Sequence, residues 1–340
     1  MTLAAGVLEG NRLALARLLT HIENDTAEGR AALGELFPHT GRAHLVGVTG
    51  APGTGKSSLV NQLARLIRNP GSGQAPQRVA VIAVDPSSPF TGGAILGDRV
   101  RMRALAGDAG VFIRSMASRG SLGGLAATTS GMVQVLDAAG FEIILVETVG
   151  AGQAEVDIAR LAHTTLVVEA PGLGDEIQAI KAGILEIADI LVVNKADRPG
   201  VENTERALRN MLQLAHPVQH TFRHHGTLES VSSAMVETVN EQPIWVPPVL
   251  RTVATEGSGM EQVWQAIIQH RQHLEASGEW QQRERSRLET ELDGLLQATL
   301  VSRWRNQISA QEYQRVIARL VDRRISPWQA VQALLDGDQA

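Results

Sequence analysis

The chain has 340 residues, of which 44% are hydrophobic and 20% charged, so it can bury the core of one large α/β domain with additions or of two domains. Its formal net charge of −5 at pH 7 argues against a surface that coats nucleic acid, which requires a basic excess. The absence of cysteine excludes disulfides and thiolate metal sites and fits the reducing cytoplasm.

The amino-terminal stretch shows the periodicity of helices and none of the marks of a targeting segment. Residues 1–10 lack the basic start and the apolar core of a signal peptide. Residues 8–36 carry apolar side chains at helical spacing and predict two helices that end at Pro38. No apolar run of about 18 residues, long enough to cross a membrane, occurs in the chain. We therefore expect a cytoplasmic protein whose partners include neither a membrane nor nucleic acid.

From Ala43 onward, short apolar runs bounded by turn residues alternate with longer helical stretches. These runs are continuous rather than alternating in polarity, which is typical of strands buried on both faces of a parallel sheet. The runs are Leu45–Thr49, Val79–Val84, Val111–Ile113, Ile143–Val146, Thr165–Val168, Ile190–Val193 and Val249–Val253. The sequence therefore predicts an α/β fold with a doubly wound, mainly parallel sheet flanked by helices.

The carboxy-terminal part of the chain has a composition of its own. The sequence after Gly259 reads as helix to the end, and all five tryptophans lie between residues 245 and 328. The stretch Gln281–Arg305 is rich in arginine and amphipathic. We expect these helices to join two copies of the chain, and the alternative is that they pack on the sheet domain of their own chain.

A phosphate-binding motif follows the first predicted strand and opens a predicted helix. It matches G-x-x-x-x-G-K-[ST] in the required context. The loop would turn successive N–H groups toward a β-phosphate, Lys56 would reach the β- and γ-phosphates, and the Ser57 hydroxyl would bind Mg²⁺. The alternative is a plain glycine turn. The predicted phosphate-site residues are Gly50, Ala51, Pro52, Gly53, Thr54, Gly55, Lys56, Ser57 and Ser58.

A second motif, Asn194-Lys195-Ala196-Asp197, follows the strand Ile190–Val193. The Asp197 carboxylate can accept two hydrogen bonds from guanine N1–H and N2–H₂, and adenine offers no such pair of donors. The aliphatic stem of Lys195 can lie over the base. Alone, this tetrapeptide could equally be an exposed helix cap. In the same chain as the phosphate-binding motif and at a strand end, it predicts a preference for GTP over ATP.

Carboxylates at the ends of other strands predict a site for Mg²⁺ and the γ-phosphate. Glu147 ends the strand Ile143–Val146 and can hold an Mg²⁺-bound water, while the Gly150 N–H can meet the γ-phosphate. Asp85 and Asp98 are further candidates for magnesium or water coordination. The alternative for Asp85 is a turn cap, and for Asp98 it is a helix N-cap. The role of Gln153, three residues beyond Gly150, stays open.

Lysine is rare in this chain, which uses arginine for most of its positive charge. Only three of the 31 basic residues are lysine, and a lysine is a compact point charge where arginine is a wide planar fork. Two of them, Lys56 and Lys195, fall in the two nucleotide motifs. The third is Lys181, which is either a functional residue or an exposed helix charge.

Taken in order and spacing, the motifs resemble those of one known family, the MeaB/ArgK family, which includes the methylmalonic aciduria type A proteins. The resemblance runs from about residue 10 to 280 and includes Pro38–Arg42. It rests on Gly50–Ser57, Val84–Ser88, Gly92–Asp98, Arg101–Arg103, Arg119–Gly124, Glu147–Gln153, Pro171–Gln178 and Asn194–Asp197. The carboxy-terminal 60 residues match only in helical character.

The resemblance implies a GTPase that acts as a metallochaperone for an adenosylcobalamin-dependent acyl-CoA mutase, methylmalonyl-CoA mutase or a close relative. It implies that GTP hydrolysis, slow alone and stimulated by the client, gates cobalamin loading and protects or reactivates the mutase. Mg²⁺ and GTP or GDP would be ligands of this chain, and cobalamin would be met only through the client. A homodimer with a helical carboxy-terminal arm is also implied.

Matched to the family residue by residue, the chain has two nucleotide switches and a coupling segment. The implied catalytic residues are Lys56, Asp85, Asp98 and Glu147, and the implied magnesium ligands are Ser57, Asp85, Asp98 and Glu147. The residues implied to couple to the mutase are Gly172, Asp175, Glu176, Gln178 and Lys181. Ala254 falls in the last guanine-contacting loop, where the chain lacks the family's usual serine.

These assignments divide the chain into an N-terminal helical segment 1–42, a P-loop GTPase domain 43–275 and a helical dimerisation region 276–340. Two other functions compete. A nickel-inserting GTPase would use the histidines His216, His220, His224 and His225 as metal ligands, although Pro217 argues against one helical face and the alternative is a solvated loop. An amino-acid-transport kinase would need an acceptor site for phosphoryl transfer, for which the sequence gives no sign.

Overall fold

The structure is a computed structural model, which describes residues 2–71, 75–86, 105, 107–118, 124–148, 153–172, 187–215 and 244–336. It forms two compact units that divide after Leu288. The first unit contains the sheet and the helices around it. None of the helices in the described ranges is long and apolar enough to cross a membrane.

The sheet of the first unit has seven strands in the order β3-β2-β4-β1-β5-β6-β7, and every neighbouring pair is parallel. The strands are β1 His44–Thr49, β2 Val79–Pro86, β3 Val111–Ser118, β4 Ile143–Thr148, β5 Thr164–Glu169, β6 Ile190–Asn194 and β7 Val249–Thr252. The predicted doubly wound parallel fold is therefore confirmed. The strand order reverses at β1, the point outside whose carboxyl end such sheets bind ligands.

Helices cover both faces of this sheet. They are α1 Leu3–Leu8, α2 Arg12–Glu23, α3 Ala27–Leu36, α4 Lys56–Arg68, α5 Gly124–Ala138, α6 Gln153–Leu161, α7 Val201–Ala215 and α8 Met260–Ser277. The next helix, α9 Glu279–Gln307, begins in the first unit and continues in the second. One face carries α1, α2, α3, α5 and α6 on a core that includes Ile144 and Val146. The other face carries α4 and α8, on a core that includes Val46 and Val48.

The two helices predicted over residues 8–36 are confirmed as α2 and α3, and the amino-terminal segment has one more helix before them. The additional helix, α1, has six residues, too few for a helical periodicity to stand out in the sequence. The Thr2 side chain accepts a hydrogen bond from the Ala5 N–H, and the Asn11 side chain caps the start of α2. Ala4 and Val7 of α1 are buried in the same core as the sheet.

The second unit is helical and includes the later turns of α9, then α10 Ala310–Val321 and α11 Pro327–Asp336. Trp304 Nε1 donates to the Leu334 carbonyl oxygen at 3.2 Å, which ties α9 to α11. Leu292, Leu296 and Leu300 follow one another at four-residue intervals along α9, and more than half of each is exposed (64%, 52% and 55%). This unit therefore presents an apolar stripe on α9.

At the amino ends of the strands, buried histidines fasten α8 and α9 to the sheet of the first unit. His163 Nδ1 accepts the Leu45 N–H at 3.1 Å, and His163 Nε2 lies 2.6 Å from Glu284 Oε1 of α9. The accepting Nδ1 carries no proton, so the ring is neutral with its proton on Nε2. Burial lowers the pKa of His163, and burial also lowers the pKa of His44 well below its usual value.

Two carboxylates complete this histidine cluster, which comprises His44, His163, Asp189, His270 and Glu284 together with the arginines that pair with them. Burial by itself would raise the pKa of Asp189, but the His270 ring, 3.2 Å away, and the hydrogen bonds from Arg283 outweigh it and lower that pKa to about 2. Burial opposes ionisation of Glu284 in the same way, and hydrogen bonds from His163 and Arg287 lower its pKa to about 2.

We expect this cluster to make the fold labile to acid. His44 and His163 stay neutral when folded, whereas their unfolded forms take up protons below about pH 6.5, so acidification through that pH favours unfolding. The ionised carboxylates Asp189 and Glu284 contribute to the free energy of unfolding down to lower pH. Their contribution is lost only as the pH falls toward their folded-state pKa of about 2. Each pKa unit of difference corresponds to about 1.4 kcal/mol.

The measurement is the free energy of unfolding in urea, followed by tryptophan fluorescence at about pH 7.5 and about pH 5.5. The control is His163→Gln, since the amide keeps a donor and an acceptor and cannot titrate. The free energy should fall with pH in the wild type and should fall less in the variant. Equal falls in both proteins, or no fall in the wild type, would contradict the expectation.

Candidate nucleotide-binding site

The phosphate motif forms the loop between β1 and α4, and the backbone at two of its glycines excludes any side chain. Gly50 has φ 132°, and a Cβ there would overlap the Val168 carbonyl oxygen. Gly55 has φ 97°, and a Cβ there would overlap the Asn194 amide nitrogen. Positive φ costs glycine little, so these two positions let the loop close tightly against β5 and β6.

Lys56 lies at the centre of this loop as the first residue of α4. Its side chain is buried, and Nζ donates to the carbonyl oxygens of Gly50 at 2.8 Å and Ala51 at 2.9 Å. The Thr54 hydroxyl donates to the same Ala51 carbonyl oxygen at 3.0 Å. A buried ammonium beside the amino terminus of a helix concentrates positive potential inside the loop. This arrangement can bind a phosphate.

A hydroxyl and a carboxylate meet beside the loop. Ser57 Oγ of α4 donates to Glu147 Oε1 of β4 at 2.6 Å, and both side chains are buried. Hydroxyl and carboxylate oxygens are the hard donors that Mg²⁺ prefers, so these residues fit a magnesium ion. Within the described ranges, no group of three or more His, Asp or Glu side chains is arranged to hold a metal by itself.

Some of the predicted switch residues can be placed only by their backbone or not at all. Asp85 is the last residue but one of β2, whose Ala83 pairs with Glu147, so Asp85 lies at the carboxyl edge of the sheet. Its side chain, Asp98 and Gly150 lie outside the described residues. Gln153 is the first residue of α6, and its side chain is likewise not described.

The side chain of Asn194 joins the base motif to the phosphate loop. Asn194 Nδ2 donates to the Thr54 carbonyl oxygen at 2.8 Å. Asn194 Oδ1 accepts from Thr252 Oγ1 at 3.1 Å and from the Ala254 N–H at 3.0 Å. Thr252 was not predicted from the sequence, because its place opposite Asn194 depends on the register of β7 on β6. Ala254 is buried, and its contact with the base stays a prediction.

Lys195 and Asp197 follow Asn194 in the loop after β6. Lys195 adopts φ 58°, the left-handed conformation that costs a non-glycine residue about 1–2 kcal/mol. Its Nζ donates to the Gly53 carbonyl oxygen at 2.5 Å, so the lysine stem spans from the base motif to the phosphate loop. Asp197 is exposed two residues later. The structure thus brings both predicted nucleotide motifs to one edge of the sheet.

The segment predicted to couple to a partner begins at the same edge. Gly172 follows β5 in a turn, has φ 89° and is exposed. Asp175, Glu176, Gln178 and Lys181 lie outside the described residues, as do the histidines His216, His220, His224 and His225. Their roles therefore stay predictions from the sequence.

The chain is similar to known proteins in sequence as well as in fold. A family model described as methylmalonyl-CoA mutase-associated GTPase MeaB matches residues 15–309. A putative GTPase of Pyrococcus abyssi is 43% identical over 327 residues, which span 96% of this chain and 93% of that protein. The mitochondrial methylmalonic aciduria type A homolog of Mus musculus is 29% identical over 351 residues, spanning 98% of this chain and 78% of that protein.

Among solved structures, a protein described as an LAO/AO transport system kinase resembles this chain with a TM-score of 0.66. The two are 26% identical, and the match covers 99% of this chain and 97% of the other. Sequence and fold thus lead to the same group of P-loop proteins, several of which are named as GTPases.

Proposed function

Because the chain belongs to the MeaB family of methylmalonyl-CoA mutase-associated GTPases and hydrolyses GTP to GDP and phosphate, we propose that it is the GTP-dependent chaperone of an acyl-CoA mutase. The client is a mutase that uses adenosylcobalamin, methylmalonyl-CoA mutase or a close relative. The chaperone gates loading of that cofactor and protects or reactivates the enzyme. Cobalamin is bound by the client and not by this chain.

The observation that supports nucleotide recognition best is the link between the two motifs through Asn194. Its amide reaches Thr54 of the phosphate loop, while its oxygen holds Thr252 and Ala254 beside the base motif. A guanine base at Asp197 and a triphosphate at Lys56 would therefore sit on one cross-linked surface. The Ala51–Ser58 backbone would donate to the phosphates, and Lys195 would cover the base.

In hydrolysis, a water oxygen forms a bond to the γ-phosphorus while the bond from that phosphorus to the β,γ-bridging oxygen breaks. Lys56 would neutralise charge on the departing β-phosphate oxygens. Ser57 and Glu147 would hold Mg²⁺, with Asp85 and Asp98 as further candidates, and the ion supplies charge neutralisation across the β- and γ-phosphates when bound. The Gly150 N–H would contact the γ-phosphate and so distinguish GTP from GDP.

Coupling to the client would pass through β5 and the segment that follows it. The Val168 carbonyl oxygen of β5 lies against Gly50 of the phosphate loop. Four residues later the chain reaches Gly172, where the predicted coupling segment begins. A change in the conformation of the phosphate loop would thus reach the start of that segment through the end of β5. Asp175, Glu176, Gln178 and Lys181 would be the residues that contact the mutase.

The proposal is tested by capture of the purified mutase on the immobilised chain, loaded in turn with GDP or with a non-hydrolysable GTP analogue. Retention of the mutase that depends on which nucleotide is present supports the chaperone function. Absence of retention with either nucleotide, for methylmalonyl-CoA mutase and its isobutyryl and hydroxyisobutyryl relatives, contradicts it. Equilibrium dialysis against Ni²⁺ in parallel would reveal a nickel-inserting protein instead.

We also propose that the chain forms a homodimer through the helices of residues 276–340, in which the exposed leucine stripe of α9 is buried. Leu292, Leu296 and Leu300 carry it, and a row of leucines this exposed is unusual on a monomer surface. Leu296→Glu would place a charge in the buried row and should give a monomer. Gln297→Glu adds the same charge at the next position, off the stripe, and should leave the dimer intact.

Light scattering at micromolar concentration measures the masses of the three proteins. We expect the wild type and Gln297→Glu to be dimers and Leu296→Glu to be a monomer. A monomeric wild type would refute the dimer, and a dimeric Leu296→Glu would remove this stripe from the interface.

A further inference from the structure

Two buried threonine hydroxyls join the strands that lead into the two phosphate-sensing parts of the site. Thr148 Oγ1 donates to Thr49 Oγ1 at 3.1 Å, and both residues are almost completely buried. Thr49 is the last residue of β1, directly before the phosphate loop, and Thr148 is the last residue of β4, directly before residues 149–152. The hydrogen bond therefore spans the gap between the two strand ends at the edge where nucleotide would bind.

The same face of β1 also holds the helix that follows residues 149–152. Gly47 lies two residues before Thr49, so both face the same side of the sheet. A Cβ on Gly47 would come within 2.5 Å of Ile158 Cγ2 and 3.1 Å of Ala162 Cβ, so α6 packs directly on the backbone of β1. Residues 149–152 are thus bounded by Thr148 at one end and by α6 at the other, and β1 contacts both.

We infer that Thr49 and Thr148 are positioning residues for GTP hydrolysis, which hold the end of β4 in register with the end of β1, from which the phosphate loop continues. The pair lies outside both nucleotide motifs and acts through the backbone that continues from each strand. A buried hydroxyl that loses its hydrogen-bond partner carries a free-energy penalty, and this penalty favours keeping the two strand ends together. The inference rests on the proposed contact of the Gly150 N–H with the γ-phosphate and is independent of the proposed client.

The threonine pair is expected to affect GDP and GTP differently. The β-phosphate would be held by residues 50–57, whose glycine geometry and Lys56 contacts do not involve Thr148. Residues 149–152 would matter only when a γ-phosphate is present. Loss of the threonine pair should therefore leave GDP affinity intact and weaken both the binding and the turnover of the triphosphate.

The test compares Thr148→Val, which keeps the shape and removes the hydroxyl, with Thr148→Ser, which keeps the hydroxyl and removes a methyl. We expect Thr148→Val to lower kcat about tenfold, and the affinity for a non-hydrolysable GTP analogue relative to GDP by about the same factor. The Kd for GDP should stay within about twofold of the wild type. Thr148→Ser should keep most of the activity.

A double-mutant cycle with Thr49→Val establishes whether the two hydroxyls act as a unit. The double variant should be no worse than the more damaged single variant. Wild-type kcat in Thr148→Val, or equal loss of GDP and GTP-analogue binding, would overturn the inference. So would loss of activity in Thr148→Ser equal to that in Thr148→Val, since packing of the methyl would then be the cause. If Thr148→Val does not fold, Thr49→Val and Thr49→Ser are compared by the same measurements and criteria.

Discussion

Asp197→Asn is expected to weaken GTP binding by at least about tenfold and to shift the preference of the protein toward xanthine nucleotides. The carboxylate of Asp197 can accept hydrogen bonds from both guanine N1–H and N2–H₂. An amide in its place presents one acceptor and one donor, so it loses a guanine contact. The amide donor can instead meet the O2 of xanthine, which a carboxylate repels.

The surroundings of Asp197 make this change selective. Asn194 and Lys195, which connect the base motif to the phosphate loop, are untouched by the substitution. The control is Glu202→Gln, an exposed position on α7 that removes the same charge close to the loop. Competition titration of GTP against XTP measures the preference of each protein. A guanine preference unchanged in Asp197→Asn, or an equal shift in Glu202→Gln, would contradict the assignment of the base site.

The parts of the fold that could be predicted are those that a local sequence pattern indicates. The continuous apolar runs, such as Ile190–Val193, identify buried strands because both faces of a parallel sheet are covered. Helix α1 could not be predicted from such a local pattern, because its six residues form fewer than two turns of helix. What folds α1 is its contact with the sheet core through Ala4 and Val7, and no local pattern records that contact.

In the candidate site, too, the contiguous motifs could be predicted and the contacts between distant strands could not. The phosphate loop and the base motif are each contiguous, and their glycine, lysine and asparagine side chains carry the chemistry in their order. The contacts that join them are between strands far apart in the chain: Thr252 reaches Asn194 across 58 residues, and Thr148 reaches Thr49 across 99. Such pairs depend on the register of β7 on β6 and of β4 on β1, which a single sequence does not specify.

The second large effect concerns the client. Intrinsic GTP hydrolysis should be slow, because the residue directly after Gly150, where a fast GTPase keeps its water-orienting glutamine, is Ala151. P-loop enzymes without such a group gain about 10³–10⁵-fold when a partner supplies or positions it. We therefore expect the client mutase to accelerate hydrolysis by at least about 10³-fold.

Lys181→Ala tests the route of that acceleration. The phosphate and base motifs hold the other two lysines of the chain, so Lys181 carries no expected role in binding the nucleotide itself. The variant should keep its affinity for GTP and its basal hydrolysis while losing most of the stimulation. Lys181→Arg, which retains the charge, should keep a larger part of it. Equal stimulation of Lys181→Ala and the wild type would remove Lys181 from the coupling route.

The coupling of GTP hydrolysis to an acyl-CoA mutase is tested most directly by the rate of phosphate release with and without the purified mutase. The assay uses the full chain with GTP and Mg²⁺ and adds methylmalonyl-CoA mutase, then its isobutyryl and hydroxyisobutyryl relatives, in increasing amounts. A slow basal rate that rises and saturates with one of these enzymes is the predicted result. A rate that stays the same with every acyl-CoA mutase would contradict the assignment as a mutase chaperone.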